Sequence, residues 1–145
     1  PGEGVVLLQM VVEKEKENEI VVAPKLLGRL DLRNKVVVAD AMHTQRELSI
    51  QIVAEGGEFV WIVKDNQPHT RQAIEQLFAP QKPIKGAGCP PMDFLTAQRC
   101  EKQAGRVEVR TLTVSDMLND YLDWPHLGQV FKLERRFTIQ ATGEV

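Results

Sequence analysis

The sequence predicts an α/β fold, and two patterns carry that prediction. In the first half, an apolar run at Val36–Ala39 is followed by a helical pattern and then by a second apolar run at Phe59–Val63. This order is typical of a βαβ unit whose two strands are parallel. In the second half, alternating polar and apolar residues predict antiparallel strands. We therefore expect a parallel α/β region followed by a β-rich region.

The composition is that of an ordinary globular chain. Its 145 residues include 43% hydrophobic and 26% charged residues, and the formal net charge is −2. That length fits one domain. A protein that binds nucleic acid alone usually has a basic excess, so DNA binding would have to come from local clusters or from other parts of a longer protein.

The absence of targeting signals and the cysteine spacing indicate the cellular compartment. No apolar run approaches the roughly 18 residues of a membrane span, and the first residues do not match a signal peptide. Cys89 and Cys100 form no CxxC pair, which favours a reducing cytosol over a zinc site. We expect a cytoplasmic protein with no membrane association.

The helix of the βαβ unit has clear start and stop signals. Thr44 is a suitable N-cap, and Glu47 completes a T-x-x-E capping box. Gly56 is the expected C-terminal glycine, so the helix is predicted over 45–55. The preceding apolar run at 36–39 predicts a buried strand.

Three further elements surround this unit. Gly4–Glu13 is dense in valine and leucine and predicts a strand. Glu19–Leu30 predicts a helix, in which Pro24 is acceptable only in or near the first turn. His69–Phe78 has the apolar spacing of a second amphipathic helix.

A linker-like segment at residues 80–91, rich in proline and glycine, separates the two regions. Beyond it, strands are predicted at Phe94–Glu101, Arg106–Val114 and Gln129–Gln140, with a short helix at Ser115–Leu122 between the last two. Alternation within the middle strand places its charged residues together on one face.

Asp40 is the first candidate for chemistry, because it follows a predicted strand directly. In open α/β sheets, ligands bind beyond the carboxyl ends of the strands, and a carboxylate on a rigid strand end is suited to a divalent metal. The alternative is an aspartate that only caps the loop it begins. Two-metal phosphoryl transfer needs several converging carboxylates, and one aspartate does not supply them.

A polar cluster ends the second strand of the unit at the same predicted edge. Lys64, Asn66 and Gln67 are suited to phosphate or backbone contacts, or to a turn. Asp65 is the nearest second acid, and it could equally be a turn residue. His43 is a candidate ligand or base, although a lone loop histidine more often is neither.

The β-rich region contributes a second group of candidates. Glu108 is either an acid near the site or a member of a cross-strand charge pair. Its strand neighbours Arg106 and Arg110 are candidates for contacting DNA, and Arg135 and Arg136 could meet phosphate or keep an edge strand soluble.

Several stretches together resemble one known family. The block VVVADAMHTQRELSIQIVAEGGEFVWIVKDNQP, the segment NEIVVAPKLLGRLDLRNKVV and the strands AGRVEVRTLTVSD and LDWPHLGQVFKLERR occur in this chain. They resemble the H-repeat-associated insertion-sequence transposases of the DDE superfamily, which share "DA-hydrophobic-x-x-Q", "DNQP", "HGRIE-R" and "ERR" segments. Ala104 stands where the family commonly has His, which removes any role of that residue here.

The resemblance implies a ribonuclease H-like mixed sheet with flanking helices, incomplete in this chain. Residues 1–79 would be a partial core, and residues 92–145 a β-rich insertion of the same catalytic domain. Asp40 would be the second acid of the catalytic triad. The first acid, in an "IDGK" strand, is expected before residue 1, and the glutamate, in a "HWGIEN" helix, after Val145.

For the longer parent, the resemblance implies a bacterial DNA transposase that uses Mg²⁺ or Mn²⁺ to cleave and transfer strands at transposon ends. The chain alone is expected to be inactive and to bind no metal firmly. A homo-oligomer is a further possibility. Two alternatives are a non-catalytic module that binds DNA or protein, and a purely structural α/β domain in which Asp40 only caps its loop.

Overall fold

A computed structural model of the chain describes residues 8–10, 19–80, 93–103 and 106–139. Their contacts divide into two compact units, the first within Pro1–Arg71 and Trp124–His126 and the second within Gln72–Asp123 and Leu127–Val145. In chain order, the elements are α1 (Glu19–Leu27), β1 (Val36–Ala39), a 3-10 turn (Ala41–His43), α2 (Arg46–Ala54), β2 (Glu58–Trp61), α3 (Pro68–Leu77), β3 (Leu95–Gln103), β4 (Arg106–Ser115) and β5 (Val130–Ile139). The expected α/β class is confirmed.

The first unit contains the predicted βαβ arrangement. β1 and β2 are parallel, with a register that runs from Val36 opposite Glu58 to Ala39 opposite Trp61. A small core of buried side chains joins the strands to α2 and to the segment before β1. Its buried members are Leu32, Leu48 and Ile52.

β1 is covered mainly on one face, so the expectation of a buried strand is wrong for the other face. Val37 packs against the core, whereas Val36 and Val38 on the other face are 55% and 65% exposed. The apolar run therefore signals high β propensity rather than burial on both sides.

The start of α2 differs from the predicted capping box. The helix begins at Arg46, and Gln45 occupies the N-cap without a side-chain cap hydrogen bond. The Thr44 hydroxyl donates instead to the carbonyl of Ile62, at 2.9 Å. Thr44 does not occupy the N-cap of α2 because it ends the 3-10 turn formed by residues 41–43.

The end of α2 agrees with the sequence. Gly56 has a φ of 80°, a left-handed conformation in which glycine avoids a steric penalty. The amides of Gly56 and Gly57 donate to the carbonyls of Val53 and Ile52. These two bonds form a Schellman motif, which satisfies carbonyls at the helix end and turns the chain into β2.

α1 is shorter than predicted, because it ends at Leu27 rather than Leu30. The amides of Arg29 and Leu30 bond only three residues back, which tightens the chain into a turn. Pro24 lies inside the helix. The predicted strand Gly4–Glu13 falls mostly outside the described residues, and its described part, residues 8–10, has no regular secondary structure.

The second unit packs residues of α3 against the chain around β5. Ala73, Leu118 and Val130 form its buried core, with Ile74, Leu77 and Phe78 packed against it. α3 itself begins at Pro68, where the missing N–H costs nothing. The linker-like segment lies almost wholly outside the described residues, which resume at 93.

β3, β4 and β5 form an antiparallel sheet in that order, close to the predicted strands. Within the described ranges, the parallel and antiparallel strands belong to two separate sheets rather than to one mixed sheet. The predicted helix at 115–122 is wrong, because β4 continues to Ser115 and residues 117–121 form turns. The Ser115 hydroxyl accepts from the Met117 amide, which directs the chain out of the strand.

Candidate functional site

Asp40 lies directly after β1 and begins the 3-10 turn. Its carboxylate oxygen Oδ1 accepts a hydrogen bond from the Ala41 amide at 2.7 Å, so it caps that turn. The capping role expected as the alternative is therefore real. It does not use up the group, because the side chain is 69% exposed.

A basic side chain approaches the Asp40 carboxylate from the end of the neighbouring strand. The ammonium Nζ of Lys64, which follows β2, lies 3.5 Å from Oδ1. The Ala41 amide, together with the charge of Lys64, lowers the pKa of Asp40 below its ordinary value. Asp40 is thus a carboxylate anion at neutral pH, with an open side toward solvent.

Asn66 and Gln67 hold the turn that carries Asp40. The side-chain amide of Asn66 donates to the carbonyl of Ala41, and that of Gln67 donates to the carbonyl of Thr44 at 2.9 Å. The Thr44 hydroxyl in turn donates to Ile62 on the segment after β2. We call these three side chains the turn clamp. Because β1 and β2 are parallel neighbours, the clamp ties the two strand ends together.

The other polar residues of this edge have different partners. The Asp65 carboxylate pairs with Arg71 at 2.5 Å, so this acid is not directed to Asp40. His43 donates its backbone amide to the Asp40 carbonyl at 2.9 Å. Its ring atom Nδ1 is buried and has no hydrogen-bond partner among the described residues.

Glu108 has the surroundings of a charge-pair member. Its side chain is 14% exposed, and Arg135 binds both of its carboxylate oxygens, at 2.6 and 2.9 Å. Arg110 donates to Oε1 as well, at 2.6 Å. The hydrogen bonds from Arg135 and then Arg110 lower the pKa of Glu108 to about 2. A carboxylate occupied by two guanidinium groups has little capacity left for a metal.

The two arginines proposed from the sequence for DNA have contacts of their own. Arg110 also lies 3.8 Å from a carboxylate oxygen of Glu101. The guanidinium of Arg106 lies 4.0 Å from the ring centre of Phe137, in a cation–π arrangement. Both residues stand on the same face of β4 as Glu108, as the alternation predicts.

A buried serine in the first unit was missed from the sequence. The hydroxyl of Ser49 accepts from the indole nitrogens of Trp61 and Trp124, at 2.8 and 3.3 Å, and donates to the Gln45 carbonyl. This bonding explains both tryptophans as structural anchors. The hydrogen bond from Trp61 also ties α2, which carries Ser49, to β2.

The described residues do not assemble a complete metal centre. They contain no group of three or more His, Cys, Asp and Glu side chains that could hold an ion. Asp40 supplies one exposed hard oxygen ligand, of the kind that Mg²⁺ prefers. One exposed carboxylate of this kind does not form a metal centre by itself.

The family of the chain follows from comparison with known proteins. Residues 1–138 match the model of the transposase DDE domain. The chain belongs to this DDE transposase family. It is 34% identical over 110 residues to the H repeat-associated putative transposase YhhI of Escherichia coli (strain K12), covering 76% of this chain and 28% of that protein. Identity to the H repeat-associated putative transposase YbfD of the same strain is 33% over 121 residues, covering 83% of this chain and 45% of YbfD.

The chain spans less than half the length of these relatives. The expected membership of the H-repeat-associated DDE family is confirmed. No solved structure matches the chain. Among the helices of the described ranges, none is long and apolar enough to cross a membrane.

Proposed function

We propose that this chain supplies one metal-binding acid, Asp40, to the catalytic centre of a longer DDE transposase. The observation that carries the proposal is the setting of Asp40: an exposed, ionised carboxylate at the end of a parallel strand, on a turn held by Asn66 and Gln67. Such a strand end is where α/β sheets place their chemistry. The first unit would be part of a ribonuclease H-like core.

The parent protein would act on DNA at transposon ends. A divalent cation, Mg²⁺ or Mn²⁺, would polarise the phosphodiester and favour in-line attack on phosphorus. Asp40 would hold that cation together with acids outside the described residues. Lys64 beside it would contact a phosphate once the cation takes up the carboxylate, since an ammonium 3.5 Å away is weakly held by one exposed oxygen.

Metal binding at Asp40 can be measured on this chain directly. Paramagnetic Mn²⁺ should broaden the backbone amide signals of residues 40–42 in the NMR spectrum of the wild-type chain. Asp40→Asn should remove the broadening because it removes the anionic ligand. Glu58→Gln, which changes an exposed acid at the opposite end of the same two strands, should leave it in place. Equal broadening in the Asp40→Asn chain would contradict the proposal.

Catalysis is tested in the full-length parent, on plasmid DNA that carries the element's own ends. Cleavage should require Mg²⁺ or Mn²⁺, and Asp40→Asn should reduce it to background while Glu58→Gln retains it. The 145-residue chain alone should not cleave. Metal-dependent cleavage by that chain, lost in Asp40→Asn, would show that its site is complete and would overturn this part of the proposal.

A further inference from the structure

One face of the antiparallel sheet carries an apolar patch that crosses all three strands. Register and alternation place six apolar residues there in two adjacent rows: Leu95, Val114 and Phe131 in one row, and Ala97, Leu112 and Leu133 in the next. We call these six residues the sheet patch. The side chains of Leu95 and Leu133 are 70% and 61% exposed, and that of Phe131 is 43% exposed. Contiguous exposed apolar residues mark a contact surface, whereas scattered ones do not.

The opposite face of the sheet is covered at the same level. Val130 precedes Phe131 on β5 and therefore points to that other face. It is 5% exposed and belongs to the buried core against which α3 residues pack. At this end the sheet is thus apolar on both faces, and the sheet patch is the face left exposed. A partner that covers it would remove apolar surface from water.

Charged residues of opposite sign flank the sheet patch at its two ends. The row next to Ala97 consists of three arginines, Arg99, Arg110 and Arg135. Asp93 and Asp116 lie beyond the other end, two residues before Leu95 and two residues after Val114. Both aspartates are exposed, and neither forms an ion pair within the ranges that the structure describes. The patch therefore has a basic end and an acidic end.

The basic end keeps charge available although glutamates contact it. Glu101 and Glu108 lie in the row beyond the arginines, away from the patch. They pair with Arg99 at 2.7 Å and with Arg110 at 2.6 Å. The side chains of Arg99 and Arg110 are nevertheless 76% and 42% exposed. A guanidinium group has several N–H donors, so each arginine can bind a second carboxylate.

The two charged ends are too far apart to meet within one copy of the chain. Arg99 and Asp93 are six residues apart on the same strand line, which is roughly 20 Å in extended chain. Arg110 and Asp116 have the same spacing. An arginine side chain does not reach that far. Ion pairs between the two ends therefore require a second copy.

A two-fold axis that crosses the strands between the two rows of the patch would bring these ends together. Each apolar row then lies on the other row of the second copy, and the strands of the two sheets run in opposite directions. Because such an axis keeps the order of the strands, Arg99 lies over Asp93 of the other copy and Arg110 over Asp116. Stacked sheets pack about 10 Å apart with their strands within about 30°, which these side chains can span.

We propose that the sheet patch joins two copies of this chain in a symmetric dimer, with Arg99–Asp93 and Arg110–Asp116 ion pairs at its ends. A self-complementary patch of this kind is what a two-fold interface requires. The patch and its charged ends cover roughly 400 Å² in outline on each copy, so the dimer is weak and reversible. The inference goes beyond the proposed function, because the dimer uses neither Asp40 nor a metal.

The oligomeric state of the 145-residue chain tests the proposal. Sedimentation velocity in EDTA, at concentrations up to about 500 μM, should show a monomer–dimer equilibrium, as expected of a small interface. Leu95→Glu should raise the dissociation constant more than about tenfold, since it places a carboxylate in the apolar patch of both copies. Thr96→Glu adds the same side chain on the opposite face of β3 and should leave the constant close to that of wild type. Circular dichroism checks that both variants fold.

Charge reversal tests the ion pairs without relying on a loss alone. Arg99→Glu and Asp93→Arg should each weaken self-association, because like charges then face each other across the dimer. A mixture of these two variants should dimerise again, since every charge at position 99 then faces an opposite charge at position 93 of the other copy. Lys102→Glu changes the net charge as Arg99→Glu does, but on the opposite face of β3. It should not recruit the Asp93→Arg chain into a dimer.

Three results would overturn the dimer: a monomer at every concentration, equal weakening by Thr96→Glu and Leu95→Glu, or a charge-reversed mixture that stays monomeric. A segment of the longer parent could cover the patch instead. Leu95→Glu would then lower the free energy of unfolding of the full-length parent without changing its oligomeric state, and that result would also overturn the proposal. The proposed function fails separately, because Asp40→Asn should leave the dissociation constant of the dimer unchanged.

Discussion

Asp40 and Glu108 are carboxylates that the sequence offers as candidate acids, and the structure gives them opposite surroundings. Asp40 is mostly exposed and accepts one backbone hydrogen bond at 2.7 Å, with Lys64 more loosely placed at 3.5 Å. Glu108 is nearly buried between Arg110 and Arg135, and guanidinium groups bind both of its oxygens. In both cases the pKa is lowered, but by different partners.

The difference shows that ionisation alone does not identify a metal ligand. A carboxylate kept charged by fixed guanidinium groups has already exchanged its water for protein partners, and a metal would have to displace them. A carboxylate kept charged by one amide and a surface ammonium can still accept an ion. Asp40 is available for a metal, whereas Glu108 is occupied by the arginines.

The largest expected effect tests whether Asp40, and not Glu108, binds the metal. In the full-length parent, Asp40→Asn should lower the rate of DNA cleavage on the order of a thousandfold or more, the scale at which loss of one essential electrostatic group acts. Glu108→Gln should leave the Mg²⁺ concentration for half-maximal cleavage unchanged. A rise in that concentration for Glu108→Gln would mean that Glu108 is a ligand, and the contrast between the two acids would fail.

A smaller effect is expected from the turn clamp. Asn66→Ala removes the bond to the Ala41 carbonyl and leaves Asp40 on a looser turn. Outer partners of metal ligands typically contribute about 10- to 100-fold, so cleavage should fall by that factor with a raised Mg²⁺ requirement.

Asn119→Ala is the matched control for this variant. Its side-chain amide also donates to a backbone carbonyl, that of Gly128, but in the second unit. It should leave the Mg²⁺ requirement unchanged. If both variants raise the requirement equally, the effect reflects general loosening of the protein rather than positioning of Asp40.

The rigidity of the Asp40 turn can be tested through stability. Thr44 is almost fully buried, and Thr44→Val keeps its shape while leaving the Ile62 carbonyl without its donor. The free energy of unfolding should fall by about 1–3 kcal/mol, measured by urea denaturation with tryptophan fluorescence. Thr44→Ser retains the hydroxyl and should lose less. A smaller loss in Thr44→Val than in Thr44→Ser would show that the methyl group, not the hydrogen bond, matters.

Much of the first unit could be predicted because its signals are local. The run at 36–39, the helix and Gly56 each follow from propensity and backbone conformation, and Asp40 comes at the strand end as expected. Thr44 shows the limit of such signals. A capping box is predicted from residues that are close together in sequence. The acceptor that the Thr44 hydroxyl uses instead, the carbonyl of Ile62, lies eighteen residues away.

The roles of Asn66, Gln67 and Glu108 could not be decided from sequence for the same reason. The sequence of Asn66 and Gln67 would be the same whether their side chains contacted a phosphate or a backbone carbonyl. Only the pairing of β1 with β2 brings these side chains to the Asp40 turn. Glu108 becomes a charge-pair member because the register sets Arg135 opposite Arg110, one row away. Register depends on the whole sheet, and alternation alone does not determine it.

The last prediction concerns folding stability at acid pH. Asp40 and Glu108 should contribute to it by different amounts, and this is the smallest of the expected effects. A lowered folded-state pKa means that the ionised group stabilises the fold above its unfolded pKa, and that this contribution is lost as the pH falls through the folded value. For Glu108 the loss should extend from about pH 4.5 down to about 2.

The measurement is the urea midpoint of wild type and Glu108→Gln, followed by circular dichroism from pH 7 to pH 2. At pH 7 the variant should unfold at lower urea, because Arg110 and Arg135 lose their shared anion. The gap should narrow through the acid range and nearly close at pH 2, where wild-type Glu108 is itself becoming protonated. The urea midpoint of Asp40→Asn should also lie below that of wild type at pH 7, but by less, since solvent screens an exposed carboxylate. A gap for Glu108→Gln that stays constant down to pH 2 would mean that the arginines do not hold Glu108 as an anion, and the distinction between an occupied and an available acid would lose its electrostatic basis.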